Sequence, residues 1–371
     1  MSFPCIRAVA AVFALCLGSG AQAQSHLDPL TGNTSSPSNW RFAPGQLFNG
    51  VAALDATARL SFTAASDGLG YGCSGSLLAG GLYVLTAGHC ADDFKGLMTV
   101  QFGWFNGTAQ VTRTVSVANA ILNPAWKGFD QSADAGTDLA LLKLDAPVTT
   151  IQGYRLSSTN DVGKEYLMAG YGTTSAGSSN TAPNWNDGKY GHYGYNTFDV
   201  DSKTFNAALN DKVADWGYDP AYYTGVTYMS DFDNPNGTTA NNTLGRIAAQ
   251  TGNVWTSGTG LGGREALIAG GDSGGGDFVW NGREWLLSAV HSWGWQGNES
   301  DGTGVCDFIG LSNCSASKRN SSSYGDLSGS TAVYTHLGWI NAVTAVPEPS
   351  TYALLLAGLG LLAGVARRRR A

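Results

Sequence analysis

The chain has 371 residues, with 21 Lys and Arg against 28 Asp and Glu, for a net charge of −7. Only 13% of its residues are charged, and an acidic chain with so few cations excludes the basic patches that hold nucleic acid. The length exceeds one average domain, but both ends read as processing segments rather than as parts of a fold.

Residues 1–23 carry Arg7, an apolar stretch over 8–18 and Ala21-Gln22-Ala23, the order of regions in a secretory signal. Leu15 before Cys16 is too large for a lipoprotein cleavage site. Residues 24–47 are rich in Ser, Asn, Pro and Gly and predict a flexible leader or propeptide. From Phe48 onward the pattern changes to short apolar runs broken by glycine turns. Residues 83–86, 99–102, 111–117 and 139–144 predict strands by alternation or β-branched content. Long helical periodicity is missing until residues 337–343, so the fold class is all-β, a barrel or a sandwich.

Three local motifs carry chemistry. Gly270-Gly271-Asp272-Ser273-Gly274-Gly275 flanks a serine with glycines, which permit a turn tight enough to aim N–H groups at a developing oxyanion. A serine hydroxyl also needs a base and an acid that orients it. Thr86-Ala87-Gly88-His89-Cys90 offers the base, and Asp138, just before the run over 139–144, offers the acid. Asp231 to Gly237 resembles a calcium loop but fails the EF-hand spacing, because Pro235 takes the fifth position and Asn242 the twelfth. A turn rich in hydrogen-bonding side chains explains it as well. Without the signal, four of the six cysteines remain, Cys73, Cys90, Cys306 and Cys314. In an exported chain they predict disulfides, with three pairings open. No spacing supports zinc, and no metal or cofactor is expected.

The order His89, Asp138, Ser273 resembles the trypsin/chymotrypsin-like serine proteases. So do Ser292-Trp293-Gly294, Val333-Tyr334-Thr335 and Trp339-Ile340, and the likeness covers most of residues 48–345. It implies two antiparallel β-barrels, about 48–155 and 156–345, with a short C-terminal helix and the active site in the cleft between them. In that family the serine, here Ser273, attacks a peptide carbonyl. The histidine, here His89, moves the proton, the aspartate, here Asp138, orients the imidazole, and the N–H groups of Gly271 and Ser273 would hold the oxyanion. Leu267 falls at the base of the specificity pocket, with Ser292, Trp293, Gly294 and Ala332 on its walls. An apolar floor implies cleavage after medium apolar residues, unless a shifted loop brings in Glu265. The resemblance also pairs Cys73 with Cys90, which leaves Cys306 for Cys314.

Several positions depart from the family pattern. Gly88 replaces an alanine, and Gly276 a proline. Gln46-Leu47 precede Phe48 where a basic residue would mark an activation site. In the family a freed N-terminal amine pairs with the aspartate before the nucleophile, here Asp272; whether this chain uses that switch stays open. Residues 175–262 and 295–331 exceed the usual spacing and suggest cleft walls or partner contacts. Gly271-Asp272-Ser273-Gly274-Gly275 also fits the nucleophile elbow of lipases, which would draft His336. A catalytically inactive, matrix-binding protease scaffold is another reading. His26 and His192 are read as structural; His291, directly before Ser292, is the one rival base that could approach the cleft, and a structural role is preferred for it too.

The tail joins Pro347-Glu348-Pro349 to an apolar run over 352–366 and to Arg367–Arg370. It resembles the PEP-CTERM sorting signal of Gram-negative bacteria, which an exosortase is thought to recognise and remove. With signal and tail gone, 16 basic residues face 27 acidic ones, a net of −11. The expected partners are signal peptidase, exosortase and protein substrates, with no nucleic acid and a transient membrane association through the tail. The expected location is the surface or the medium.

Overall fold

A computed structural model describes residues 31–32, 36–178, 187–214, 216–237, 239–297, 304–311 and 322–345. The signal, most of the sorting tail and Cys314 lie outside them.

Period-two runs with one apolar face must pair to bury that face, and they do so in two antiparallel sheets. The first has seven strands, in spatial order Ala120–Leu122, Ala140–Lys143, Tyr83–Thr86, Gly70–Leu77, Thr57–Ala64, Phe94–Phe102 and Val111–Ser116. Its inner face is lined by Leu60, Val84, Val100 and Leu142, all fully buried. The second has eight, in the order Val200–Asp201, Thr227–Asp231, Leu327–Ala332, Trp285–Trp295, Gly276–Trp280, Glu165–Gly170, Gly191–Thr197 and Arg41–Phe42. The expected all-β, trypsin-like fold with two antiparallel barrels is present, and a helix over Leu337–Thr344 follows as part of a separate unit. Tyr166 of the second sheet stacks on Phe198 with centroids 4.0 Å apart, and Tyr228 packs tilted against Phe198 at 4.5 Å. Each such buried aromatic adds roughly 1.5–3 kcal/mol.

Three parts of the chain differ from the sequence reading. Residues 37–47, expected to be flexible, are built into the fold. Trp40 and Phe42 are buried, and Arg41–Phe42 forms the last strand of the second sheet against Gly191–His192. Arg41 Nε and Nη2 donate to both oxygens of Asp187 at 2.7 and 2.5 Å. The polar composition hid two aromatic anchors. Helices also form where none was expected, over Ser202–Asn210 and Thr243–Gln250. Their caps are readable in hindsight, since the side chains of Asp201 and Asn242 accept from Thr204 and Gly245 N–H. Finally, Val333–His336 is a 3-10 turn rather than a strand.

The Asp231 turn closes on itself, with Asn236 and Gly237 N–H donating to Asn234. Behind it lie four buried carboxyls, Asp199, Asp231, Asp233 and Glu265. Burial, and then repulsion from the other three, push Asp233 up to about 10, and its Oδ1 has no partner among the described residues. Burial likewise pushes Glu265 up to about 8. A carboxyl raised on folding takes up a proton, so stability is full below its ordinary value near 4 and falls as pH climbs towards 10. Asp233→Asn is therefore expected to raise the melting temperature at pH 8 and leave it unchanged at pH 4. Thermal unfolding at both values checks this, and equal melting curves at pH 8 would refute it.

Candidate active site

Strand pairing in the first sheet sets the base beside the acid. Ala140–Lys143 runs antiparallel to Tyr83–Thr86 with Ala140 opposite Thr86, so Asp138 lies alongside the 3-10 turn Gly88–Cys90. Asp138 is fully buried, yet its oxygens are well supplied. Oδ1 accepts from His89 N–H at 2.9 Å. Oδ2 takes His89 Nδ1 at 2.7 Å and the Ser292 hydroxyl at 2.6 Å. A carboxylate at Nδ1 requires the proton there, which leaves Nε2 as the free basic nitrogen. Burial alone would lower the His89 pKa, but the charge and hydrogen bond of Asp138 outweigh it and raise it overall.

Gly88 replaces an alanine for a local reason. A Cβ there would lie 3.0 Å from both Asp138 Oδ1 and the Trp126 ring. Trp126 in turn donates from Nε1 to Asp92 at 2.8 Å. The bridge Cys73–Cys90 closes the other side, with Cα atoms 6.2 Å apart. Cys90 Sγ lies 3.5 Å from the Ser273 carbonyl oxygen and within 4.8 Å of a His89 ring nitrogen. Among the described residues, Cys73, His89 and Cys90 are the one His, Cys, Asp and Glu group with ligand atoms that close, and the disulfide consumes both sulfurs. Cys306 is buried and disulfide-bonded.

Ser273 reaches this place because its turn lies directly on the first sheet. Its carbonyl accepts from Ser74 N–H at 2.8 Å. Gly274 has φ +81°, and a Cβ on it would lie 2.0 Å from Thr86 Oγ1 and 2.3 Å from the Ser74 carbonyl oxygen. The carbonyls of Gly270 and Asp272 fix two N–H directions. Gly270 C=O accepts from Thr173 N–H at 2.7 Å, and Asp272 C=O from Gly275 N–H at 2.8 Å. In a trans peptide the N–H points opposite the C=O, so Gly271 and Ser273 N–H are turned away from those partners. Neither has an acceptor among the described residues. Ser74 adds a link the sequence did not announce: its hydroxyl accepts from Tyr171 N–H and donates to the Gly271 carbonyl.

The other site candidates are distributed as follows. Ser292, Trp293 and Gly294 lie on Trp285–Trp295, but the Ser292 hydroxyl is turned to Asp138. A bulge between His291 and Trp293 sets Trp293 and Gly294 opposite Gly329 and Ser328, while Ala332 stands opposite Ala289 in the core. Gly329 is required there, since a Cβ would lie 2.1 Å from the Trp293 ring. Leu267 is buried and pairs with Thr31. The Glu265 carboxylate is taken by Asp233 and Leu261 N–H at 2.6 and 2.5 Å. His192 is buried against Asp187. His336 Nε2 donates to the Gly136 carbonyl at 2.6 Å and Nδ1 accepts from Asn123, so it braces the loop before Asp138 and is not a free base.

The Gly274 contact is testable through stability. Gly274→Ala combines left-handed strain of about 1–2 kcal/mol with a clash against Ser74 and Thr86. Gly282→Ala, at φ +94° with open space around it, bears the strain alone. Thermal unfolding is expected to show the larger loss for Gly274→Ala, and equal losses would mean that the turn does not lean on the first sheet.

The trypsin family model matches residues 52–220, and the PEP-CTERM protein-sorting motif matches residues 345–370. No curated protein matches the chain. Among solved structures it is similar to HL collagenase, at 19% identity over 83% of this chain and 97% of that one, with a TM-score of 0.49. It is also similar to the protease Anisep from Arthrobacter nicotinovorans, at 15% identity over 76% and 91%, with a TM-score of 0.40. No helix among the described residues is long and apolar enough to cross a membrane. Residues 52–220 match the trypsin family, which supports a peptidase, and the PEP-CTERM motif implies an exported protein sorted to the cell envelope.

Proposed function

We propose that the protein is a serine endopeptidase that works through an acyl-enzyme, with Ser273 as nucleophile, His89 as general base and acid, and Asp138 as the group that orients His89. One observation carries this reading. The buried Asp138 engages His89 twice and Ser292 once, which leaves Nε2 of the imidazole as the acceptor for a hydroxyl proton. The N–H groups of Gly271 and Ser273, which have no acceptor among the described residues, form the oxyanion hole, where one donor is worth about 3 kcal/mol.

Ser273→Ala, His89→Ala and Asp138→Asn are each expected to lower kcat by roughly 10⁴-fold or more. A fluorophosphonate probe is expected to label the native chain and spare Ser273→Ala. Because His89 must be neutral to act as base and its pKa is raised, activity is expected to rise as pH climbs through that value. Near-native turnover in His89→Ala would sink the assignment.

For specificity we infer a preference for medium apolar residues before the scissile bond. By the family resemblance Leu267 would take the place of a cation-selecting aspartate, and two backbone donors already occupy the Glu265 carboxyl. A buried Arg or Lys head group would then go unpaired, which costs several kcal/mol, whereas apolar side chains differ by only about 1–3. Profiling against a peptide library checks this, and dominant cleavage after Arg or Lys would overturn it.

A further inference from the structure

Buried His291 holds two acceptors at once. Its Nδ1 lies 3.1 Å from the Asp272 carbonyl oxygen, and its Nε2 lies 2.7 Å from Asp277 Oδ1. All three residues have no exposure to solvent. A neutral imidazole has one N–H and can serve only one of these acceptors. Both bonds form only while the His291–Asp277 pair retains a second proton, whether on the ring or on the carboxyl. The fit is close: a Cβ on Gly275 would lie 2.7 Å from His291 Nδ1, so only glycine lets the ring reach the turn.

What the ring holds is the peptide between Asp272 and Ser273. Its carbonyl points at His291 and at Gly275 N–H, so its N–H, that of Ser273, points to the opposite side. The Asp272 carboxylate has partners of its own: Oδ1 accepts from Gly172 N–H at 2.8 Å and Oδ2 from Ala269 N–H at 2.9 Å. Chain residues 47–52 form a hairpin through Asn49 and Gly50, anchored by Trp285 Nε1 on the Phe48 carbonyl.

We propose that protonated His291, paired with Asp277, is the internal cation that holds the Asp272–Ser273 turn in its working shape, so that no freed N-terminal amine is needed for it. This rests on the serine-peptidase reading. His291 is a positioning residue, because it touches the turn and not the substrate. The titratable groups around it are Asp277 on Gly276–Trp280, Asp272 on the turn and Tyr166, which faces Asp277 from Glu165–Gly170. Burial lowers the His291 pKa, but Asp277 and Asp272 outweigh it and raise it overall, while burial pushes Asp272 up to about 7. A raised histidine keeps its contribution below its ordinary pKa and loses it as pH rises through the folded value.

The test uses the protein with residues 31–52 intact, as verified by mass spectrometry. It is expected to hydrolyse a peptide substrate without cleavage in that segment. His291→Gln is expected to lower kcat by 10²–10³-fold with KM within about threefold, as for a lost oxyanion donor. Asp277→Asn is the second variant, because its amide can donate to a neutral Nε2 and so keep both bonds. Its alkaline loss of kcat is expected to flatten relative to the native protein. Native kcat in His291→Gln, an unchanged alkaline limb in Asp277→Asn, or activity that appears only after cleavage within 31–52 would overturn this inference alone. A native protein with neither turnover nor fluorophosphonate labelling would overturn the peptidase reading, and this inference with it.

Discussion

Asp138 has no contact with solvent, and its hydrogen bonds come from both sheets. An isolated carboxylate in that position would cost many kcal/mol, so the site exists only if several donors are delivered to it together. His89 delivers two from the first sheet and Ser292 one from the second. The sheets are thus committed to one another at the point where the chemistry is proposed. Gly136, with φ +71°, lets the loop before Asp138 turn inward, and His336 and Asn123 hold it there.

The long insertion belongs to the same support. Gly225 N–H donates to the Ala135 carbonyl, and the Tyr222 hydroxyl donates to the Gln131 carbonyl and Asp134. The Thr227 hydroxyl donates to the Asp134 carbonyl. Gly225 lies so close that a Cβ would overlap the Gly136 carbonyl oxygen at 1.8 Å. Part of the extra length therefore braces the loop that carries Asp138. Burial pushes the Asp134 carboxyl up, and the Tyr222 hydroxyl partly offsets it.

The motifs around His89, Asp138 and Ser273 were legible because each is local: the residues that make the turn adjoin the residue that would react. The all-β fold was legible for the same reason, since strand periodicity needs only a few neighbours. Contacts between distant residues were not. Nothing near Asp277 announces His291, and the four buried carboxyls come from three separate stretches of chain. The bulge between His291 and Trp293 shifts a register by one residue, which local patterning does not encode. Trp40 and Phe42 were hidden in a polar stretch because two aromatics suffice to anchor a strand of two residues.

That short strand has a further consequence for the protein outside its own fold. Without it Gly191 and His192, at the start of a strand whose Tyr195 already bridges Glu265, would leave an open edge, a template on which another chain can add a strand. Arg41–Phe42 covers the start of that edge, and the ion pair of Arg41 with Asp187 pins it down. A paired edge offers no such template to a second copy of the chain.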